Sequence, residues 1–476
     1  MAISPLVIGR GPLTTDLVKG DGKHTSNAQI RDIWRLIQGS DDWNGMLDPM
    51  NPLLKAEILR YGDFAQQCYD SFDNTSSSKY YGNSKRSKSS LGHRLELLGI
   101  GRGYQVARYI YANTAVLKSF LRPKSGDRGS WMGYIAVCTN PKQIKRLGRR
   151  DIVVAWRGTE TPQEWMENLR DILVPATLSQ CTECPSIQTT FKPDVRIEKG
   201  FLSCYTSVNG ESQSGGLSAK DIVVEEIRRL LTEYKDEENV SITFTGHSLG
   251  AALATISAYA MKQVVMEENA TKSVPVTVFA FASPRVGNLA FSQHLEEIGV
   301  KVLRFVNTWD LVPKVPGVFI NENMGWITRY LHWLPWTYVH VGVPITLDSS
   351  RSPVLKKSYS PASFHNLEVY LHLLDGFQGN NKLPFKPSGR DPALVNKNSD
   401  LLIKKLNIPS YWWVRRNKEV VKRIDGVLVY SPTTPTPPPL YIRPSDSDSL
   451  SGNLQSNENF VKFEDVHDER QPSAAE

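Results

Sequence analysis

An α/β architecture is predicted for this chain, with a central, mostly parallel sheet flanked by helices. Three observations carry that reading. From Trp131 onward, short apolar runs alternate with amphipathic ones, the pattern of buried strands and covering helices. Within that stretch the β-favouring run Val240-Ser241-Ile242-Thr243-Phe244-Thr245 passes through Gly246-His247-Ser248-Leu249-Gly250 into the helix-favouring run Ala251-Ala252-Leu253-Ala254. Finally, 476 residues at 40% hydrophobic content suffice for one large core or two ordinary domains.

Residues 1–29 read as an irregular leader with no periodicity. Ser4, Arg10, Thr14, Thr15 and Lys19 suit a targeting segment, Asp16 and Asp21 do not, and the charged start and apolar block of a secretory signal are missing. Residues 30–430 read as the folded domain. Its N-terminal extension is helical: Ile30, Ile33, Trp34 and Ile37 recur at helical spacing, and a second such pattern covers Pro52 to Tyr69. The polar stretches 74–90 and 207–218 read as inserted loops. Asp151 to Trp156 reads as a buried strand, and Val223, Ile227, Leu230, Leu231 and Tyr234 line one face of a helix leading to the strand at Val240. Val276 to Ala282 and Val300 to Val306 supply two further strands. Residues 431–476, Pro-rich and then acidic, read as a disordered tail that starts in the polyproline form bound by proline-reading proteins.

The formal charge of +7 arises from scattered clusters such as Arg146, Arg149 and Arg150, which suit either an anionic lipid surface or simple solubility. No run approaches the ~18 apolar residues of a membrane span, so no transmembrane segment is expected, and no nucleic-acid partner. The five cysteines are too few and odd in number for a disulfide scaffold. Cys181 and Cys184 form a C-x-x-C without a second pair, read as a loop rather than a metal or redox site.

Gly246 to Gly250 has the form of a nucleophile elbow, a sharp strand-to-helix turn that exposes a serine hydroxyl near the positive end of a helix. The flanking Gly246 and Gly250 leave room for strand and helix to approach, and His247 sits between glycine and serine. A serine hydroxyl is a poor nucleophile alone, so Ser248 needs a base within hydrogen-bond reach and an acid to orient that base. Asp310, just past the strand 300–306, is the first choice of acid, ahead of Asp348 and Asp375, because neither of those follows a buried strand as closely. His365, at a loop-to-helix junction, is the first choice of base, with His340 second. His247 ranks low because neighbouring side chains at a strand end should point to opposite sides, and His372 because it falls inside a helix. A tetrahedral intermediate also needs fixed N–H donors, expected from Leu249 and from Thr159, which follows the strand ending at Trp156. Trp165, Met166 and Leu169 fall on one face of a short amphipathic helix beside Thr159, suited to a lid. The aromatic stripe Trp326, Tyr330, Trp333 and Trp336 reads as core.

Trp156-Arg157-Gly158-Thr159, Gly246-His247-Ser248-Leu249-Gly250, Phe281-Ala282-Ser283-Pro284-Arg285-Val286-Gly287-Asn288 and Asn307-Thr308-Trp309-Asp310-Leu311-Val312-Pro313 stand in the order seen in class 3 lipases. Gly45-Met46-Leu47-Asp48-Pro49, Leu147-Gly148-Arg149-Arg150-Asp151 and Phe364 to His372 narrow the resemblance to the plant phospholipase A1 family of DAD1-like acylhydrolases, over about Ile30 to Gly426. The resemblance implies an α/β-hydrolase fold; a triad of Ser248, Asp310 and His365; oxyanion donors at Thr159 and Leu249; and a lid over 161–172. It implies cleavage of the sn-1 ester of phosphatidylcholine or galactolipid at a membrane or lipid-droplet surface, without metal or organic cofactor. It also implies a chloroplast location, with the cytoplasm as the alternative for so short a leader. The chain departs from the family at Glu198, where many relatives carry His. The same residues fit a neutral-lipid lipase or acyltransferase, and the tail suits a lipid-binding module without turnover.

Overall fold

Runs rich in Val, Ile, Phe and Ala belong inside a parallel sheet, and three such runs here lie side by side. In the computed structural model, which describes residues 29–75, 77–112, 130–159, 172–176, 194–208, 216–237, 239–268, 274–316, 337–357, 361–413, 420–422 and 428–430, they are the strands β6 (Val240–His247), β7 (Val276–Phe281) and β8 (Val300–Asn307). With β1 (Tyr104–Ala112), β2 (Ser130–Cys138), β3 (Arg150–Trp156) and β9 (Val343–Leu347) they form a seven-stranded sheet in the order β1-β2-β3-β6-β7-β8-β9. The pairs β1/β2 and β2/β3 are antiparallel, and β3/β6, β6/β7, β7/β8 and β8/β9 are parallel. The two short strands β4 (Leu173–Pro175) and β5 (Arg196–Glu198) pair separately. This is the α/β-hydrolase architecture, a mostly parallel sheet carrying its antiparallel strands at one edge.

The expected helices form at Ile30–Ile37, Pro52–Ser71 and Ala219–Glu233, the last opened by a reciprocal cap between Ser218 and Asp221. Two edge strands escaped the sequence reading. In β1, Gln105 faces solvent and two register shifts break the alternation. In β9 only alternate residues are buried and Pro344 interrupts the β-favouring run, as an outer strand permits. A helix at Lys88–Leu97, capped by Ser87, also shortens the loop expected to reach Ser90. Residues 1–28 of the leader, the tail 431–476, Cys181, Cys184 and the aromatic stripe 326–336 lie outside the described residues.

Thr243 and Thr245 on one face of β6 meet the helix Pro52–Ser71 through Tyr61, Thr245 Oγ1 donating to the Tyr61 carbonyl at 3.0 Å. Beneath them Asp151, completely buried, accepts from Tyr104 at 2.6 Å, Tyr61 at 2.9 Å and Ser241 at 3.1 Å. Burial alone would push its carboxyl up, but Arg149, Arg60 and the two phenols outweigh that and hold it below the usual carboxylate range. This network ties the N-terminal helix to the sheet under the nucleophile strand.

Candidate active site

The elbow follows from two close approaches. A β-carbon at Gly250 would stand 2.6 Å from the Trp156 carbonyl oxygen, and one at Gly246 would collide with the Gly250 backbone. With both side chains absent, β6 turns within one residue into the helix Leu249–Glu268, and Ser248 takes φ +60°, the left-handed region that side chains other than glycine rarely enter. The Ser248 amide donates to the Phe281 carbonyl at 2.9 Å, anchoring the strained residue to β7. Leu249 opens the helix, where the first four N–H groups have no partner within the helix.

Gly158 backs onto the serine, its missing side chain leaving Ser248 Cβ 3.1 Å from where a β-carbon would be. Thr159 follows, buried, with no partner for its Oγ1 among the described residues. The segment is held by Arg157, whose buried guanidinium donates to the Gly158 carbonyl at 2.9 Å and the Trp131 carbonyl at 3.2 Å and lies over the Phe72 ring. Leu249 thus directly follows the nucleophile, and Thr159 directly follows the glycine that packs on Ser248 Cβ.

Asp310 and His365 are brought together across 55 positions of chain, His365 Nδ1 lying 2.7 Å from Asp310 Oδ2. Asp310 sits three residues past β8. Its second oxygen accepts the Val312 amide at 2.9 Å, and its first also accepts the Tyr370 hydroxyl at 2.6 Å. Burial and the adjacent Asp310 push the Tyr370 phenol well above its ordinary range, so it remains a donor. His365 occupies the turn between the helices Pro361–Phe364 and Leu367–Gly376, and the Phe364 carbonyl accepts from Asn307 Nδ2 at 3.2 Å. Ser248, Asp310 and His365 are all buried, and Ser248 Oγ and His365 Nε2 have no hydrogen-bond partner among the described residues. The serine–histidine hydrogen bond is therefore open in this structure.

The rival residues are engaged elsewhere. Asp348 follows β9 directly, but β9 is a half-exposed edge strand; Asp348 caps the turn Ser349–Arg351 and accepts from Trp309 Nε1 at 3.0 Å. Asp375 accepts the Ser388 amide at 3.0 Å, and His372 Nε2 meets Ser352 Oγ at 2.8 Å. Burial and the cations Arg304 and Arg285 hold His340 well below the ordinary histidine range. His247 needs a correction. Its ring does not point away from the site but lies 4.6 Å from that of His365, with Nδ1 2.8 Å from the Tyr69 hydroxyl. The alternation rule holds for an extended strand and lapses where Ser248 turns the chain. Burial, and His365 beside it, hold His247 well below its ordinary range.

Tyr370, Tyr69 and Arg157 are the contributors that spacing did not reveal, since each acts through a partner remote in sequence. Glu198, where the chain departs from the resemblance, uses its carboxylate to cap the helix Lys199–Thr206, accepting from the Phe201 amide at 2.7 Å. The lid residues Trp165, Met166 and Leu169 lie outside the described residues. Among the described residues no cluster of three or more His, Cys, Asp or Glu could hold a metal ion, and no helix is long and apolar enough to cross a membrane.

Residues 153–320 match the model of the lipase (class 3) family. Phospholipase A1-Igamma2, chloroplastic, of Arabidopsis thaliana is 42% identical over 421 residues, covering 86% of this chain and 78% of the relative. Phospholipase A(1) DAD1, chloroplastic, of the same plant is 40% identical, covering 79% and 84%, and its galactolipase DONGLE, chloroplastic, is 39% identical, covering 78% and 76%. Among solved structures, the lipase of Rhizomucor miehei in its propeptide complex is 17% identical with a TM-score of 0.39, covering 68% of this chain and 81% of that one. On the sequence relatives, this chain belongs to the plant phospholipase A1 family of class 3 lipases.

Proposed function

We propose that this protein is a serine acylhydrolase that cleaves the sn-1 ester of glycerolipids, acting as a phospholipase A1 on phosphatidylcholine and also on galactolipid, in the chloroplast. The observation that carries the reading is the 2.7 Å contact between His365 Nδ1 and Asp310 Oδ2, together with Ser248 Oγ and His365 Nε2, both buried and without a hydrogen-bond partner among the described residues. The names of the relatives supply the substrate class and the compartment. An imidazole held by a carboxylate at Nδ1 presents Nε2 as the free base, the tautomer a serine nucleophile needs.

In this mechanism Ser248 Oγ attacks the acyl carbonyl while its proton passes to His365 Nε2. The amides of Leu249 and Thr159 receive the developing oxyanion. Collapse breaks the bond to the glycerol oxygen, and His365 returns the proton to the leaving lysolipid. Water, deprotonated by His365, then attacks the acyl-enzyme and releases a free fatty acid. Asp310 remains charged throughout and stabilises the imidazolium. Since Ser248 is completely buried, an ester reaches it only after part of its surroundings moves.

The test is release of labelled fatty acid from sn-1-labelled phosphatidylcholine vesicles. Ser248→Ala should abolish it without changing the far-UV circular dichroism, and a fluorophosphonate should label the wild-type serine. Hydrolysis retained by Ser248→Ala would remove Ser248 from this role.

A further inference from the structure

The large apolar side chains most exposed to water include a pair flanking the acid of the site: Trp309 is 50% and Leu311 is 43% exposed, while Asp310 between them is 1% exposed. An exposed side chain is ordinarily free to change rotamer, yet Trp309 is held in place. Its ring packs at 6.2 Å on Phe364, the residue before His365, and its N–H is tied to Asp348 Oδ1. The rim continues through the turn Ser349–Arg351. Arg351, exposed, donates to the carbonyl of Leu383, itself 37% exposed, and Lys382 beside it is exposed as well. Aromatic and aliphatic surface bordered by cations, with the indole N–H satisfied at its edge, is the composition that settles at the boundary between lipid head groups and acyl chains.

We infer that Trp309, with Leu311 and Leu383, is the anchor by which this protein rests on an anionic glycerolipid bilayer, with Arg351 and Lys382 meeting the lipid phosphates. The inference rests on the proposed lipid substrate, and the position fits it. The anchor lies on the same rim as the acid and base, so docking there brings the site to the plane from which an ester must be drawn. Leu36, 39% exposed on the helix Ile30–Ile37, lies near the start of β3, at the opposite end of the parallel strands, and serves as the control.

The experiment uses the full chain carrying Ser248→Ala, sedimented with vesicles of phosphatidylcholine alone or with phosphatidylglycerol added. Hydrolysis of dissolved p-nitrophenyl butyrate is measured separately in proteins that keep Ser248. Trp309→Ala should weaken vesicle binding at least about fivefold, the loss expected when part of an apolar side chain no longer enters lipid. The double change Lys382→Ser, Leu383→Ser, away from the catalytic loops, should weaken it in the same direction, and phosphatidylglycerol should tighten wild-type binding in a salt-sensitive way. Leu36→Ser should bind as wild type. Vesicle binding unchanged in both rim variants would overturn the anchor, as would an equal loss in Leu36→Ser. Loss of dissolved-ester hydrolysis in Trp309→Ala as large as its loss of binding would also overturn it, since Trp309 would then act by holding Phe364 and His365. Absence of all ester hydrolysis in the wild type, with binding still dependent on Trp309, would strike the proposed function and leave the anchor standing.

Discussion

Tyr370 and His365 share one oxygen: Asp310 Oδ2 accepts the Tyr370 hydroxyl at 2.6 Å and lies 2.7 Å from His365 Nδ1. The phenol also accepts the Asn307 amide at 3.1 Å, so the end of β8, the acid and the helix after His365 are joined through one side chain. Removing the hydroxyl leaves the carboxylate held by His365 and the Val312 amide alone and the Asn307 N–H without this partner. Tyr370→Phe should lower kcat for ester hydrolysis about tenfold, the cost of losing a hydrogen bond to a charged group, with KM little changed. Steady-state kinetics on a dissolved ester checks this; an unchanged kcat would show that His365 and Val312 hold Asp310 unaided.

Two glycines should respond in opposite directions. Gly250→Ala forces a β-carbon to 2.6 Å from the Trp156 carbonyl oxygen, inside the elbow, and should cost roughly 3 kcal/mol or more along with activity. Gly92, in the helix Lys88–Leu97, has only an ordinary contact, 3.7 Å to the Tyr104 carbonyl, so Gly92→Ala should add about 0.5–1 kcal/mol. Urea unfolding midpoints for the two variants test both signs.

Lys397 bridges two buried carboxylates, with Nζ 2.7 Å from Asp70 and 3.2 Å from Glu368. Burial would lower its pKa, but the two carboxylates outweigh that and raise it, so the ammonium persists. Lys397→Met leaves Asp70 with Arg94 at 3.8 Å and Glu368 with Arg390 at 2.6 Å, and should cost about 3 kcal/mol in chemical unfolding. A stability equal to wild type would mean that those arginines neutralise the cluster alone.

Stability should fall on mild acidification. His372 is lowered by burial from 6.5 to about 4, and His247 and His340 are also held well below the ordinary range. A base with a depressed folded pKa takes up its proton first in the unfolded chain. Its penalty therefore grows as pH falls from 6.5 and stops growing near the folded pKa, at about 4 for His372. Asp70 and Asp151 are held below the ordinary aspartate value of 3.8, so their contributions persist through this window and fade only at lower pH. Unfolding midpoints at pH 7.5 and 5 should differ, and His372→Gln should reduce the difference. An identical pH slope in the variant would mean that His372 titrates normally.

Local geometry is legible in the residues alone. Gly246, Gly250 and the apolar runs on either side dictate a strand, a sharp turn and a helix, because only residues close in sequence must avoid one another there. The same holds for the strands at 151–156, 276–281 and 300–306, whose side chains are mostly apolar. Which distant groups meet follows from packing across the whole fold. Asp348 ends a strand more directly than Asp310, yet the packing of the helix Leu367–Gly376 brings His365 to Asp310 and Tyr370 with it. His247 faces His365 because the strained residue after it breaks the alternation on which the sequence argument relied. Contacts across 55 or 60 positions depend on the order and register of strands, which are set by burial summed over the whole sheet and leave no local pattern to read.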